Sequence, residues 1–541
     1  MTGGDLLVVG DVRTMDPAGP RAESVAVRAG RIAAVGDLRA ARAAVPTGTP
    51  ELAPPGAVVL PGFVDSHVHL IWAGRAAARV GLDDAVSVRA VCDRISGYAR
   101  RHPTRRWIEA DAGFDPGDLA ERRLPSAAEL EAAAPGRPVL LDRKGHDGIA
   151  NLTALRLAGI TADTPDPPGG RIDRYPDGTP TGLLVEHPAV ALVRAVVPEP
   201  DQRTRIDWIT AGQAELLAHG ITTAVDPAVP AAELAAYAVA GRAGALRLRT
   251  VAMPLGGDDV NDAQLRRTLD DCDFDRATPG LLRAGPTKLF LDGGGSLGTA
   301  LLSAPWPGTN GYHGNQSLRT ETVRAHCAAA AAHGRGVGVH AVGDAAIDLT
   351  LSVFAEVAAG TPIAGLGFHL IHAYLGPGPE AMATARRLGV SVSAHPALQW
   401  AFGLNLIDRL GEPAAAAANP LRSWLDAGVT VGGGSDGPGP PMSVLHGIWQ
   451  ARTRRVRGRD EPLGPDQALS AAEAVALFTT GAAQVAGNPQ AGWGGGMLRV
   501  GEPADLTVLD VDPLTPDADV LTAGTVLATI VAGEVRHTAA D

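Results

Sequence analysis

Residues 328–344 read AAAAAHGRGVGVHAVGD, an alanine-rich run that ends at a glycine and is followed at once by a short apolar segment ending in polar residues. The run predicts a helix, and Gly334 suits the left-handed position that closes one. The apolar segment after it predicts a strand. The same order returns in AELLAHGITTAVD (214–226), ATARRLGVSVSAHP (383–396) and LRSWLDAGVTVGGGSD (421–436). Repeated helix-then-strand units predict a parallel α/β sheet, either closed or doubly wound.

The polar residues at the strand ends separate these two possibilities. They follow five different predicted strands, as Asp226, His340, His372, His395 and Asp436. A barrel collects catalytic residues from many strand ends at one face, whereas a doubly wound sheet concentrates its site at one switch point. We therefore predict an α/β fold of the (β/α)₈ TIM-barrel type.

The two ends of the chain follow a different pattern of short strands and turns, seen in LLVVGDVRTMD (6–16) and VLATIVAGEVRH (526–537). This pattern predicts a small β-sandwich domain built from residues 1–58 and 490–541. The barrel is then expected over residues 59–489. Stretches rich in proline and glycine at about 75–200 predict an insertion after the first barrel strand, lying over the barrel mouth.

The composition excludes several classes of function. The chain has 541 residues, 59 of them acidic and 47 basic, and its net charge of -12 comes with no dense basic run, so no nucleic-acid partner is expected. Hydrophobic residues make up 45% and charged residues 20%, as in soluble globular proteins. No long apolar segment and no signal-peptide pattern are present, so we expect no membrane association and a cytoplasmic location.

The few cysteines and lysines further restrict the kinds of catalytic or metal site that the chain can contain. The three cysteines are scattered without a CxxC spacing, so any metal must be held by histidines and carboxylates. Lys144 and Lys288 are the only lysines in the sequence, against 45 arginines among the 47 basic residues. Arginine cannot be neutralised, so a retained lysine can indicate chemistry that needs an uncharged amine. It can also be a chance survivor at a surface position where the identity of the residue does not matter.

A histidine pair stands in VVLPGFVDSHVHL, residues 58–70. Side chains two apart on a strand point the same way, so His67 and His69 can bind one ion or can simply be hydrogen-bonded neighbours. Further candidate groups follow on separate strand-like segments, namely Lys288, His340, His372 and Asp436. Imidazole and carboxylate ligands suit Zn²⁺ and also Mn²⁺ or Fe²⁺.

Motifs along nearly the whole chain resemble the amidohydrolase superfamily, and most closely its YtcJ-like branch, which includes enzymes similar to N-substituted formamide deformylase. They are SVAVRAGRIAAVGD (24–37), LPGFVDSHVHL (60–70), GHDGIANLTAL (145–155), KLFLDGGGSLG (288–298), VHAVGD (339–344), SDGPG (435–439) and ADLTVLD (504–510). As a set they are specific for the superfamily but not for a substrate. The resemblance implies a distorted barrel whose metal ligands are His67, His69, Lys288, His340, His372 and Asp436.

The resemblance also implies a mechanism. One or two ions, Zn²⁺ or alternatively Mn²⁺ or Fe²⁺, would activate water for attack on an amide-type C–N bond in an N-acyl, N-formyl or cyclic amide. Asp436 would act as general base and acid, and His372 or His340 would either bind metal or hydrogen-bond the substrate carbonyl. Lys288 is a candidate for carboxylation. Candidate substrate-binding residues are His146, Asp292, Ser296, Trp72 and Gln399.

Other functions remain open at this point. The same superfamily chemistry allows deamination, lactone opening or decarboxylation. Two G-x-S-x-G segments, around Ser296 and Ser435, allow a serine-dependent α/β hydrolase, although this leaves the histidines unexplained. A barrel without metal and without activity is a third alternative. The expected partner is a small-molecule substrate, and the oligomeric state is open, with a homodimer as one option.

Overall fold

The computed structural model describes residues 4–82, 85–111, 114, 116, 119–143, 147–167, 170–185, 187–258, 260–272, 274 and 280–539. The chain divides into two compact units. The first unit comprises Met1–Ile71 and Gly212–Asp541, and the second comprises Trp72–Ala211.

The strands are distributed over both units. They are β1 (Leu6–Arg13), β2 (Arg21–Arg28), β3 (Arg31–Gly36), β4 (Glu51–Leu52), β5 (Val58–Pro61), β6 (Phe63–Asp65), β7 (Val80–Gly81), β8 (Ile108–Asp111), β9 (Val139–Arg143), β10 (Asp147–Ala150), β11 (Arg171–Arg174), β12 (Pro180–Val185), β13 (Ile221–Val229), β14 (Arg249–Pro254), β15 (Leu282–Ala284), β16 (Thr287–Phe290), β17 (Val337–Ala341), β18 (His369–His372), β19 (Ser391–Ala394), β20 (Val431–Gly433), β21 (Leu506–Leu509), β22 (Val526–Val531) and β23 (Glu534–Thr538).

The helices lie between these strands. They are α1 (Leu38–Ala43), α2 (Leu70–Ala77), α3 (Val88–Arg101), α4 (Ala127–Ala133), α5 (Leu152–Leu157), α6 (His187–Arg194), α7 (Gln202–Ala218), α8 (Ala231–Arg242), α9 (Asp262–Cys272), α10 (Thr320–Ala332), α11 (Asp344–Gly360), α12 (Pro379–Leu388), α13 (Pro396–Leu410), α14 (Glu412–Ala416), α15 (Leu421–Asp426), α16 (Val444–Thr453), α17 (Ala471–Ala476) and α18 (Ala482–Val485). Across the described residues, the helices fall short of the length and apolar character that crossing a bilayer requires.

Strands from both ends of the chain form one mixed sheet in the first unit, in the order β23-β22-β21-β5-β1-β2-β3, with β4 beside β1. The C-terminal β21 pairs antiparallel with β5, and β5 pairs parallel with β1. One face of this sheet buries an apolar cluster that includes Val8, Val25, Val59, Leu506 and Ile530. Burial of this face holds the two chain ends together.

Two parallel sheets form the rest of the first unit, in the orders β15-β14-β13-β6 and β16-β17-β18-β19-β20. Backbone hydrogen bonds join the two sheets: the amide of Ser66, just after β6, donates to the carbonyl of Gly433 at 3.0 Å, and the amide of Gly256, just after β14, donates to the carbonyl of Lys288 at 2.9 Å. Helices separate most successive strands of these sheets. The predicted α/β class is confirmed.

The joints between helix and strand show why the repeated sequence pattern folds this way. Gly220, Gly334, Gly389 and Gly428 all have positive φ, between 67° and 78°. Each stands between an alanine- or leucine-rich helix and the next strand, where a side chain would be strained. These glycines therefore end the helices where the sequence predicts that they end.

The second unit contains a sheet in the order β11-β12-β10-β9-β8-β7. Helix α3 begins after Ser87, whose side chain accepts from the amide of Ala90, and α4 begins with a capping box between Ser126 and Glu129. Apolar side chains of α3 and α4 pack on the sheet in a core that includes Val91, Ile95, Ile108, Leu130, Val139 and Leu141. This unit thus has a hydrophobic core of its own.

Candidate metal centre

His67 and His69 follow β6 directly, and Asp436 follows β20. The Nε2 atoms of His67 and His69 lie 3.4 and 3.6 Å from Oδ1 of Asp436. One ligand atom from each residue lies within 4.8 Å of the other two. The structure therefore brings both histidines of the HxH pair to the late aspartate, although about 370 residues separate them in the chain.

The backbone holds Asp436 in this position. Its φ of 56° lies in the left-handed region, which is uncommon for a residue with a side chain. Its amide donates to the carbonyl of His67 at 2.8 Å, and the amide of His69 donates to the carbonyl of Gly437 at 3.1 Å. A Cβ atom on Gly434 would lie 2.8 Å from the amide nitrogen of His67. The glycine run before Asp436 thus permits the close approach of the two chain segments.

Three further histidines adjoin this group. The ring centroids of His340 and His372 are 4.6 Å apart, as are those of His372 and His395. His67 lies 5.6 Å from His372 and 5.0 Å from His395. His340 and His372 are the last or nearly last residues of β17 and β18, and His395 directly follows β19. Adjacent parallel strands thus deliver one imidazole each to the same place.

His372 and His395 share a hydrogen bond between their Nδ1 atoms at 3.0 Å. One of these nitrogens must donate a proton and the other must accept it. If both rings are neutral, the donor ring has a free lone pair at Nε2, and the acceptor ring carries its proton at Nε2. The Nε2 atom of His395 is buried, and no described residue forms a hydrogen bond with it. The pair can therefore offer one metal-binding nitrogen and one N–H donor.

Lys288 is fully buried on β16, and its Nζ has no hydrogen-bond partner in the part of the chain that the structure describes. Nζ lies 4.5 Å from the centroid of the Phe290 ring. Burial lowers the pKa of Lys288 to about 7, against the opposing pull of Asp436 and Asp292. A substantial fraction of this amine is therefore uncharged at neutral pH.

Burial also sets the protonation of the histidines. It lowers the pKa of His340 to about 3 and that of His395 to about 4. The pKa values of His67 and His372 lie well below the ordinary histidine value for the same reason. Burial opposes ionisation of Asp436, but hydrogen bonds from His67 and His69 outweigh it and hold its pKa well below the usual value. Neutral imidazoles and an ionised carboxylate are the protonation states that bind metal.

Two buried carboxyl groups support the backbone around the HxH pair. Asp65 accepts from the amides of His67 at 3.0 Å and Ser435 at 3.1 Å. Asp226 accepts from the hydroxyl of Tyr237 at 2.6 Å and from the amide of Leu70 at 3.2 Å. Burial raises their pKa values to about 7 and about 8.

Sequence reasoning did not single out Asp65 or His395 as site residues. Asp65 is marked in the sequence only by its place immediately before SHVH, and His395 only by its place at a strand end. Both acquire their partners from distant segments: Asp65 contacts Ser435, and His395 contacts His372.

The predicted substrate-binding residues are more dispersed. The carboxylate of Asp292 accepts from the backbone amides of Leu301, Val342 and Gly343 at 2.9–3.0 Å. The buried side-chain amide of Gln399 accepts from Tyr374 at 2.9 Å and donates to the carbonyl of Ala415 at 3.4 Å. Their roles toward a substrate stay predictions.

The remaining candidates are Ser296, Trp72 and His146. Ser296 is half-buried in the turn after β16, and Trp72 is 50% exposed and belongs to the second unit. His146 lies outside the described residues. Ser435, the nucleophile of the alternative serine mechanism, accepts from the amide of Gly437 at 3.2 Å. Within the described part of the chain, neither Ser296 nor Ser435 has a hydrogen bond to a histidine.

Comparisons with known proteins identify the family. The model of the amidohydrolase family matches residues 55–537. The chain is 31% identical to an N-substituted formamide deformylase from Arthrobacter pascens and 29% identical to putative amidohydrolase YtcJ from Bacillus subtilis (strain 168), with 98% of each chain covered in both cases. The structure matches that of an uncharacterized metal-dependent hydrolase from Pyrococcus furiosus with a TM-score of 0.76 and 25% identity, covering 94% of this chain and 100% of that one. The chain therefore belongs to the amidohydrolase family and is a metal-dependent hydrolase.

Proposed function

We propose that the protein hydrolyses an amide-type C–N bond in an N-acyl, N-formyl or cyclic amide. The observation that carries this proposal is the convergence of His67, His69 and Asp436 to within ligand distance of one another. The formamide deformylase relative, 31% identical over nearly the full length, supports the choice of bond. The substrate is a small molecule, as in the family.

We propose that the two parallel sheets close into an eight-stranded (β/α)₈ barrel over residues 59–489. The hydrogen bonds between Ser66 and Gly433 and between Gly256 and Lys288 support closure at both pairs of edges. In this proposal β15 and β16 count as one strand interrupted at Gly285 and Pro286. The sheet from both chain ends supports a separate β domain of residues 1–58 and 490–541.

The donor set fits a divalent cation such as Zn²⁺. His67, His69 and Asp436 supply two imidazole nitrogens and one carboxylate oxygen, and this is a ligand combination that Zn²⁺, Mn²⁺ and Fe²⁺ accept. His340, His372 and Lys288 extend the donor set toward a second ion. When bound, the cation lowers the pKa of a coordinated water to about 7 and polarises the substrate carbonyl.

Asp436 carries the proton transfers in this proposal. Its ionised oxygen takes a proton from the attacking water and delivers it to the leaving nitrogen, so that the products are a carboxylate and an amine. The left-handed backbone at Asp436 and the hydrogen bond from its amide to His67 fix the carboxylate for this role. His340 or His372 orients the substrate carbonyl by hydrogen bonding if it is not engaged by metal.

Lys288 is proposed as a site of carboxylation. Its buried, unpartnered Nζ can attack CO₂ as a neutral amine, forming an N–C bond and releasing one proton, and the resulting carbamate would be an anionic ligand. Asp292, Ser296, Trp72, Gln399 and His146 remain the proposed substrate contacts.

The proposal is tested by metal analysis and substrate screening of the purified protein. We expect at least one divalent ion per chain, loss of that ion and of activity on chelation, and recovery of activity with Zn²⁺, Mn²⁺ or Fe²⁺. The substrate panel should contain formamides, N-acyl amines, cyclic imides, lactones and aminopurines. Turnover of lactones or aminopurines without turnover of any amide would contradict the proposed bond.

Metal content of Lys288→Ala separates the one-ion and two-ion arrangements. If Lys288 bridges two ions, the variant is expected to retain fewer ions per chain than the wild-type protein. Unchanged metal content in this variant would exclude a bridging role.

A further inference from the structure

A cavity of about 610 Å³ lies at the amino-terminal ends of the parallel strands, opposite the metal centre. Gly336, which lines it, directly precedes β17, whose other end carries His340. Its walls include Arg283, Arg335, Ser391 and Thr430. Among the described residues that line the cavity there is no aspartate or glutamate. The described lining therefore has two cationic side chains and polar neutral groups but no carboxylate, although Asp262, outside the lining, acts on Arg335.

Arg283 is the more unusual of the two arginines. Its Nε and Nη2 atoms are buried and have no hydrogen-bond partner among the described residues. Its guanidinium stacks on the indole of Trp493 at 5.0 Å. Burial alone lowers the pKa of Arg283 to about 10, which still leaves the side chain charged at neutral pH. Buried charges in proteins are ordinarily paired and hydrogen-bonded, so the unused Nε and Nη2 donors of Arg283 are available to an acceptor.

Arg249 shows what such a partner looks like. It contacts the same indole at 5.6 Å. Its Nε and Nη2 atoms donate to the two carboxylate oxygens of Asp505 at 2.6 and 3.1 Å. This paired geometry is the way a guanidinium recognises a carboxylate or phosphate. The corresponding Nε and Nη2 atoms of Arg283 have no acceptor among the described residues.

Arg335 adds a second cation to the cavity wall. One of its nitrogens, Nη2, donates to the carbonyl of Gly285 at 2.7 Å. Burial lowers its pKa below the ordinary arginine value, although Asp262 acts in the opposite direction. Arg283 and Arg335 both line the cavity and both remain charged, so an anion bound in it would find two guanidinium groups among its lining residues.

We propose that this cavity is a binding site for a small oxyanion, either a carboxylate or a phosphate, that pairs with Arg283 and Arg335. The several rotatable bonds of Arg283 allow its fork to turn toward the anion without backbone movement. Ser391 contributes a neutral hydroxyl to the same lining, and the hydroxyl of Thr430 donates to Gln484 at 3.4 Å. The site is separate from the proposed amide hydrolysis and does not depend on it.

The test is calorimetric titration of the full-length protein with inorganic phosphate and, separately, with succinate, at constant ionic strength in chloride buffer. We expect saturable binding at one site per chain for at least one of these anions. Phosphate binding alone would identify a phosphate site, and succinate binding alone a carboxylate site. Absence of binding by both anions would overturn the proposal.

Variants locate the binding. Arg283→Met removes the charge while keeping an apolar stem on Trp493, and we expect affinity to fall at least about tenfold. Arg39→Met, at an exposed position on α1, makes the same change in net charge and should bind like the wild-type protein. An anion that binds at the metal centre would bind Arg283→Met equally well, and equal affinity would overturn the proposal.

Arg335→Met is a second variant, which removes the other arginine that lines the cavity. It is expected to weaken binding in the same direction as Arg283→Met. If Arg283→Met does not fold, unchanged affinity in Arg335→Met is the result that overturns the proposal. Increased thermal stability with the bound anion, present in wild type and absent in both variants, would support it.

Discussion

The two ends of the parallel strands bury their polar groups in opposite ways. At the carboxyl ends, histidines, a lysine and aspartates are packed together, and burial drives the imidazoles to their neutral form. At the amino ends, Arg283 and Arg335 remain charged because arginine cannot lose its proton near neutral pH. A buried titratable group can thus adapt to its surroundings by exchanging a proton, whereas a buried guanidinium stays charged and needs hydrogen-bond acceptors or a counter-charge.

The comparison also separates two kinds of site. The carboxyl-end cluster contains its own anion, Asp436, and is completed by a cation. The amino-end cavity contains only cations among its described ionisable residues and is completed by an anion. Removing one charge at the carboxyl end should therefore impair cation binding, whereas removing one charge at the amino end should impair anion binding.

The largest expected effect is at the carboxyl end. Asp436→Asn keeps the volume of the side chain but removes the anionic ligand and the proton acceptor, so kcat/KM should fall by about 10³-fold or more. His67→Ala should have a comparable effect because it removes a ligand. Steady-state kinetics on an amide substrate and metal content per chain are the measurements.

A matched control is available for these variants. His102→Ala alters an exposed histidine of the second unit and should leave kcat/KM and metal content unchanged. Circular dichroism and melting temperature should show that all three variants are folded. Wild-type turnover by Asp436→Asn or His67→Ala would refute the proposed mechanism.

The second prediction compares the two arginines that share Trp493. Arg249→Met leaves Asp505 without its buried partner and should lower the free energy of unfolding by about 3–5 kcal/mol. Arg283→Met loses only stacking on the indole and removes an unpaired charge, so its effect should be within about 1 kcal/mol. Urea unfolding in chloride buffer, free of phosphate and carboxylates, measures both. An equal loss in the two variants would show that Arg283 has a partner in the folded protein.

The third prediction concerns the histidine pair at the carboxyl ends. His395→Phe retains a ring of similar size but removes the Nδ1 partner of His372 and the buried Nε2. Loss of such an orienting group is expected to weaken metal affinity or kcat/KM by about 10–100-fold, less than the loss of Asp436. Competition with a chromophoric chelator measures metal affinity independently of turnover. Metal binding and turnover equal to those of wild type would exclude this role.

Much of the architecture could be predicted because it depends on residues that are close together in the sequence. Glycines such as Gly334 and Gly389 end helices through their own backbone freedom, and a strand follows each at once. Alternation along a strand places His67 and His69 on the same side. These features depend on neighbours in sequence, so one sequence is enough to identify them.

The site could be predicted only in part because its geometry depends on contacts between distant segments. The hydrogen bond between His372 and His395 depends on how β18 and β19 align, and the contact between Asp65 and Ser435 depends on two chain segments 370 residues apart. The sequence also could not predict that Arg283 has no carboxylate partner among the described residues, because an arginine in a sequence does not show which groups lie beside it in the fold.

The smallest expected effect is on the pH dependence of stability, through Asp226. Burial raises its pKa in the folded protein to about 8, against about 3.8 for the ordinary value. The folded state therefore binds more protons than the unfolded state between these two pH values, so this group's contribution to stability is full below about pH 3.8 and is lost as the pH rises toward 8.

Asp226→Asn removes the titration and retains an oxygen acceptor for Tyr237 or Leu70. Urea unfolding at pH 6 and pH 8 should show a smaller loss of stability with rising pH in this variant than in the wild-type protein. The same measurement on Arg283→Met should match the wild-type pH dependence, because arginine does not titrate in this range. An Asp226→Asn protein as sensitive to pH as wild type would mean that Asp226 is already ionised in the fold, and the contrast between adaptable and permanent buried charges would then fail at this residue.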